Sequence, residues 1–126
     1  MLFRGDMQTS FLNDRQIRPT EFTRWDNARR AFARGKDRQK VDDLKQSITN
    51  RGLRTPIVLG ISDRYRDVYV ADGHHRAIAL MELGADTFPF HWYWIKSFGV
   101  RMEHSPFPAE VLHPTGKAVR KTSRWW

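Results

Sequence analysis

Asp72-Gly73-His74-His75-Arg76-Ala77-Ile78-Ala79-Leu80-Met81-Glu82-Leu83-Gly84 is the stretch that decides how this chain folds. Just before it, Arg66-Asp67-Val68-Tyr69-Val70-Ala71 alternates polar and apolar side chains, the period of a half-buried strand. Asp72-Gly73 breaks that period. From His74 the residues are strong helix formers, apolar on most sides, and Gly84 ends the run. The chain therefore passes from strand through glycine into helix, with two imidazoles and a guanidinium at the helix entrance. The first amides of a helix have no intrahelical partner and the helix dipole is positive there, so such an entrance attracts anions. His74, His75 and Arg76 add side-chain donors to phosphate oxygens. The competing reading is a polar helix entrance whose histidines merely cap it.

Upstream, Asp37 can cap a helix with apolar positions at Val41, Leu44 and Ile48, spaced by three and four. Gly52 suits the end of that helix, with Leu53 as the returning apolar contact. Pro56 forbids further helix, and Ile57-Val58-Leu59-Gly60-Ile61 reads as a buried strand. The polar Ser62-Asp63-Arg64 makes it one arm of a hairpin with the strand before Asp72. Downstream, Phe88-Pro89-Phe90-His91-Trp92-Tyr93-Trp94-Ile95 is a further strand, with Pro89 marking its start or an edge. Phe88, Phe90, Trp92 and Trp94 share one face, which suits a core or, less commonly, a base-stacking platform. A strand is expected near Ile17–Phe22 and a helix around Asn27–Ala33. After Ile95 the chain carries Pro106, Pro108 and Pro114 and reads as irregular, and there is no internal repeat.

The order helix, Pro-Ile strand, second strand, Asp-Gly-His-His-Arg, apolar helix, aliphatic strand resembles the ParB/sulfiredoxin-like domain family. The resemblance covers about residues 17–95 and rests on Lys40-Val41-Asp42-Asp43-Leu44-Lys45-Gln46-Ser47-Ile48, the Arg51-Gly52 stop, Thr55-Pro56-Ile57 and the turn at Gly73. Trp25-Asp26-Asn27-Ala28-Arg29 is similar to the Asn-Pro-Arg segment near the start of many such domains. It implies an α+β fold with a small mixed sheet, and a site between two helices that wraps nucleotide phosphates, ATP or CTP. Carried over by position, the turn supplies Gly73, His74, His75 and Arg76 to phosphate. The first helix supplies Lys40 and Ser47, and Thr55 is a weaker member. Lys40, Asp43 and Ser47 are three to four residues apart and are expected to share one helix face.

Two departures matter. Sulfiredoxin chemistry needs a cysteine in the turn; His74 stands in its place, and the chain has no cysteine at all. That excludes sulfinic-acid repair, disulfides, thiolate zinc sites and cysteine nucleophiles. Asp43 replaces a small hydroxyl residue, and its charge would repel phosphate unless a metal ion intervenes. Thirty residues after Ile95 are too few for the helix-turn-helix and dimerisation segments of partitioning proteins, so a free-standing domain is expected.

The chain has 126 residues, one domain's worth, of which 40% are hydrophobic and 13% aromatic, enough for a real core. Its charge is uneven. Residues 1–38 carry nine bases and five acids (+4), 39–96 eight and seven (+1), and 97–126 five and two (+3). A nearly neutral core, 39–96, is thus flanked by a basic N-terminal arm, 1–38, partly integrated in the fold, and a basic C-terminal extension, 97–126. Such arms favour a polyanion, DNA more than RNA, or an acidic partner protein. Arg29, Arg30, Lys117, Arg120, Lys121 and Arg124 are the candidate nucleic-acid contacts. No segment is apolar enough to span a membrane and no signal core opens the chain, so a cytoplasmic location is expected.

Gly35-Lys36 and Gly116-Lys117 lack the upstream glycine of a phosphate loop, and no zinc spacing exists among the histidines. Three functions remain. A nuclease or nucleotide triphosphatase would use Asp72 and Asp43 to hold magnesium or manganese, with His75 steadying the phosphate or protonating the leaving oxygen. A silent binding module would keep only the phosphate pocket. A small accessory protein would dock a partner protein through its basic arms and aromatic strand.

Overall fold

The periodicities that place the hairpin and the two longer helices are all realised in the computed structural model, which describes residues 3–62, 67–96, 99–102, 107–108 and 112. The elements run β1 (Phe3–Gln8), β2 (Ile17–Pro19), α1 (Trp25–Ala31), α2 (Gly35–Arg51), β3 (Ile57–Ser62), β4 (Val68–Asp72), α3 (His74–Leu83), β5 (Thr87–Lys96) and β6 (Gly99–Met102). This is an α+β architecture around a mixed sheet of order β1-β5-β3-β4-β2, with β6 on β5. β3 and β4 are antiparallel, β3 and β5 parallel, and β2 runs parallel to β4. β1 pairs with β5 along Thr87–Trp92, and β6 takes up the same edge along Tyr93–Lys96.

Three expectations change here. α2 starts at Gly35, with Arg34 rather than Asp37 in the capping position, so Asp37 lies inside the first turn. The strand foreseen over Ile17–Phe22 stops at Pro19. Residues after Ile95 are not irregular throughout, because β6 adds a strand. Pro89 sits in an inner strand, yet it is tolerated because the β3 ladder begins only at Phe90. At Pro89 itself β5 is paired with Asp6 of β1.

Alternate residues of the strands fill one core. Ile57, Leu59 and Ile61 of β3, Val68 and Val70 of β4, and Phe88, Phe90 and Trp92 of β5 are buried, together with Ile78 and Leu80 of α3 and Val41 of α2. Each such side chain contributes roughly 1.5–3 kcal/mol by leaving water. The aromatic face of β5 is therefore core: Trp92 packs edge-on to Trp94 and Phe107, and no base could stack on it. The N-terminal segment is built into this core through Ile17, Trp25, Ala28 and Phe32. The Trp25 indole N–H donates to the Ile17 carbonyl at 2.8 Å. α2 and α3 are clamped by Glu82, which accepts from Arg38 at 2.7 Å and Lys45 at 3.1 Å. No helix among the described residues is long and apolar enough to cross a membrane.

Candidate functional site

β4 delivers the chain to the end of the sheet at Asp72, and one residue later α3 begins. Gly73 makes that turn with φ of 115°, a conformation that side chains rarely adopt. No side chain caps α3, so the entrance amides stay open to an external acceptor. The Arg76 guanidinium folds back over the glycine. A Cβ placed on Gly73 would lie 2.9 Å from Arg76 Nη2 and 3.0 Å from Nε. Arg76 Nη2 also donates to Asp72 Oδ2 at 3.1 Å, and its side chain is only 15% exposed. Its Nε–H is buried and has no hydrogen-bond partner among the described residues.

The two histidines have different environments. His74 is buried, and its Nε2 accepts from the backbone N–H groups of Thr20 at 2.9 Å and Glu21 at 3.4 Å. An accepting Nε2 places the proton on Nδ1 of a neutral ring, and burial pushes its pKa below the ordinary histidine value. Placed by sequence among the phosphate ligands, His74 instead fixes the loop after β2, packed edge-on to Phe22. His75 is half-buried and lies flat on Phe32, ring centroids 4.1 Å apart and planes 6° from parallel. Its Nε2 is 2.9 Å from Asp37 Oδ1. Asp37 and His75 both lie in the first turns of their helices, so this contact joins the entrances of α2 and α3.

Between those entrances lies a cleft of about 370 Å³ lined by Lys40 and Leu44 of α2, Glu21, and Ala71 through Arg76. It brings together Lys40, Asp72, Gly73, His74, His75 and Arg76 from the residues singled out in the sequence. Asp43, Ser47 and Thr55 do not line it. The cleft-facing stripe of α2 is Lys40–Leu44, spaced by four, and Asp43 lies to the other side of Lys40. Asp43 accepts from Gln39 at 2.8 Å, and Asp72 is engaged by Arg76. The two carboxylates expected to share a metal thus have different partners, and no cluster of three His, Cys, Asp or Glu among the described residues could hold one. The carboxylates that do line the cleft are Asp72 and Glu21. Glu21 and Asp37 carried no signal in the sequence beyond an acid in an expected strand and a helix cap. Arg29 and Arg30 are exposed at the end of α1, with Arg29 reaching Met81 Sδ. Lys117, Arg120, Lys121 and Arg124 lie outside the described residues.

Comparison with known proteins bears on the family and the fold. The ParB N-terminal domain family model matches residues 8–97. Sulfiredoxin from Arabidopsis thaliana has the same fold, with a TM-score of 0.54 at 23% identity over 76% of this chain and 90% of that one. A free serine kinase in complex with AMP gives a TM-score of 0.46 at 16% identity, over 72% of this chain and 31% of that one. A Pnob8-like ParB-N domain gives 0.48 at 13% identity, over 78% and 32%. The chain spans about a third of each of these last two structures. No curated protein is significantly similar in sequence.

Proposed function

We propose that this chain, which belongs to the ParB N-terminal domain family across residues 8–97, binds the phosphate chain of a nucleotide at the Gly73–Arg76 turn and works in association with nucleic acid. The observation that carries the reading is the Arg76 guanidinium, tucked against Gly73 at the uncapped entrance of α3 with its buried Nε–H unpaired. A buried donor left unpaired costs about 1–3 kcal/mol, which a phosphate oxygen would recover. Lys40 supplies a second cation from α2.

Glu21 and Asp72 offset those cations, so the cleft suits a polyphosphate already neutralised by a divalent ion better than a bare one. Magnesium or manganese would arrive with ATP or CTP, and the two carboxylates are the side chains that could meet it. Nucleic acid, DNA before RNA, would be held by the exposed cations Arg29, Arg30, Arg34 and Lys36, none of them ion-paired among the described residues. A binding module without turnover is the second reading. It is favoured by the engagement of Asp72 with Arg76 and the position of Asp43 outside the cleft.

Titration calorimetry with the four ribonucleoside triphosphates and magnesium tests the reading. Lys40 is exposed, so Lys40→Ala should leave the melting temperature unchanged and weaken binding about tenfold, the scale of one charged hydrogen bond. If no nucleotide binds the intact chain, or Lys40→Ala and Arg76→Lys both bind as it does, the site is not where the phosphates sit.

A further inference from the structure

Asp37 and His75, 38 residues apart in sequence and on different helices, meet in a geometry that capping does not require. Asp37 Oδ1 takes the His75 Nε2–H at 2.9 Å, so in the neutral ring Nδ1 carries the free lone pair. Nδ1 has no hydrogen-bond partner among the described residues, and His75 lines the cleft. Phe32, stacked on the ring at 4.1 Å, removes its freedom to rotate away. A carboxylate fixing one imidazole nitrogen, with the other left free in a residue that lines a binding site, is the arrangement that general bases share. It stands beside the anion-attracting entrance of α3.

We propose that His75, positioned by Asp37, is the general base for hydrolysis of a nucleoside triphosphate held in this cleft. The inference rests on the nucleotide-binding reading above. In the step, a water oxygen attacks the terminal phosphorus while its proton passes to His75 Nδ1. The bond from that phosphorus to the bridging oxygen breaks, and its electron pair leaves with the nucleoside diphosphate. Asp37 stabilises the resulting imidazolium, which returns its proton to solvent as inorganic phosphate departs. His75 is the catalytic residue and Asp37 a positioning residue. Asp37 meets the ring directly, and the charged and titratable groups that line the cleft with His75 are Lys40 from α2, His74 and Arg76 from α3, Asp72 from β4, and Glu21 from the loop after β2.

The experiment measures phosphate release from magnesium ATP, CTP, GTP and UTP by the full chain, beside calorimetric affinity for the same nucleotides. His75→Gln should lower kcat by about a hundredfold or more, and Asp37→Asn by about tenfold or more, the range of general acid–base groups. Both should leave nucleotide affinity within about twofold, since proton transfer adds little to ground-state binding. His75→Ala leaves an empty slot on the Phe32 ring, and added imidazole should restore turnover there in proportion to its unprotonated fraction. Nucleotide binding without phosphate release by the intact chain would overturn this inference and leave the binding reading standing. So would a His75→Gln protein whose affinity falls while kcat holds, which would make the ring a phosphate ligand, or a His75→Ala protein as active as the parent. No nucleotide binding at all would remove both.

Discussion

Gly73→Ala should destabilise the fold by more than an alanine at a left-handed position normally does, and the excess should depend on Arg76. Gly73 has φ of 115° and ψ of 31°; Gly84, which ends α3, has φ of 67° with the same ψ. At either site an alanine meets the left-handed penalty of about 1–2 kcal/mol. Around Gly84 nothing lies within 4 Å of the added Cβ, so its penalty should stop there. At Gly73 the Cβ would press on Arg76 Nη2 at 2.9 Å, on Nε at 3.0 Å and on Ile57 Cγ1 at 3.2 Å. Ile57 is wholly buried and cannot yield, and the guanidinium is tied to Asp72. Overpacking of this kind costs about 1–3 kcal/mol. Gly73→Ala should therefore lose about 2–5 kcal/mol in urea unfolding against about 1–2 for Gly84→Ala, with m-values unchanged. Removing Arg76 clears the guanidinium from the path of the new Cβ and leaves only Ile57 in its way. The double variant Gly73→Ala with Arg76→Ala should then be more stable than the sum of the single effects by about 1–2 kcal/mol. Strict additivity, or equal destabilisation by Gly73→Ala and Gly84→Ala, would show that the guanidinium does not rest on the glycine, and the phosphate reading would lose its main support.

Lowering the pH through the ordinary histidine value of 6.5 should reduce stability, because burial keeps His74 neutral in the folded chain while the unfolded chain takes up the proton. His74→Gln should flatten that part of a plot of urea midpoint against pH. Glu82→Gln should lose about 1 kcal/mol at neutral pH, the scale of partly exposed pairs, and less in molar salt. The hydrogen bond from Arg38 holds the Glu82 carboxyl below its ordinary 4.5, so its contribution is present above that value and is lost as the pH falls through the lower folded-state one. If Arg30 and Arg34 meet DNA, Arg30→Ala with Arg34→Ala should flatten the slope of log affinity against log salt by up to about 0.9 for each phosphate no longer neutralised. Removal of residues 117–126 measures the share of the tail in the same assay.

What was legible in the sequence is what short-range patterns encode. Val41, Leu44 and Ile48 repeat at helical spacing, Val68 and Val70 alternate, and Gly73 and Gly84 bracket an apolar helix, so α2, β4 and α3 could be read directly. β1 is missing from the sequence reading although Phe3-Arg4-Gly5-Asp6-Met7-Gln8 alternates non-polar and polar residues; the run is short, a glycine sits inside it, and the β5 edge that makes it a strand comes from the far end of the chain, where Gln8 lies opposite Thr87 and Phe3 opposite Trp92. β6 fills what remains of that edge for the same reason. The start of α2 differs from the sequence reading because Asp37 is the kind of residue that caps helices, whereas its carboxylate faces His75 instead.

The site divides along the same line. The turn Gly73–Arg76 announces itself, since glycine, two histidines and an arginine at a strand-to-helix junction form a local pattern. The direction each histidine takes does not. His74 and His75 are adjacent and chemically identical, and successive helix positions are turned about 100° apart, so one must enter the protein while the other looks along its surface. The inward one meets the backbone of Thr20 and Glu21 and loses its use as a free ligand. The outward one meets Asp37 and Phe32 and keeps a nitrogen for the cleft. Lys40 and Asp43 are neighbours on α2, but the cleft lies on the Leu44 side of Lys40: a step of four passes a full turn and reaches Leu44, while a step of three falls short of it and leaves Asp43 outside. The metal pair Asp72 and Asp43 depended on the cleft lying on the Asp43 side of Lys40, and it lies on the Leu44 side. The acid that does reach the turn from α2 is Asp37, and it reaches an imidazole.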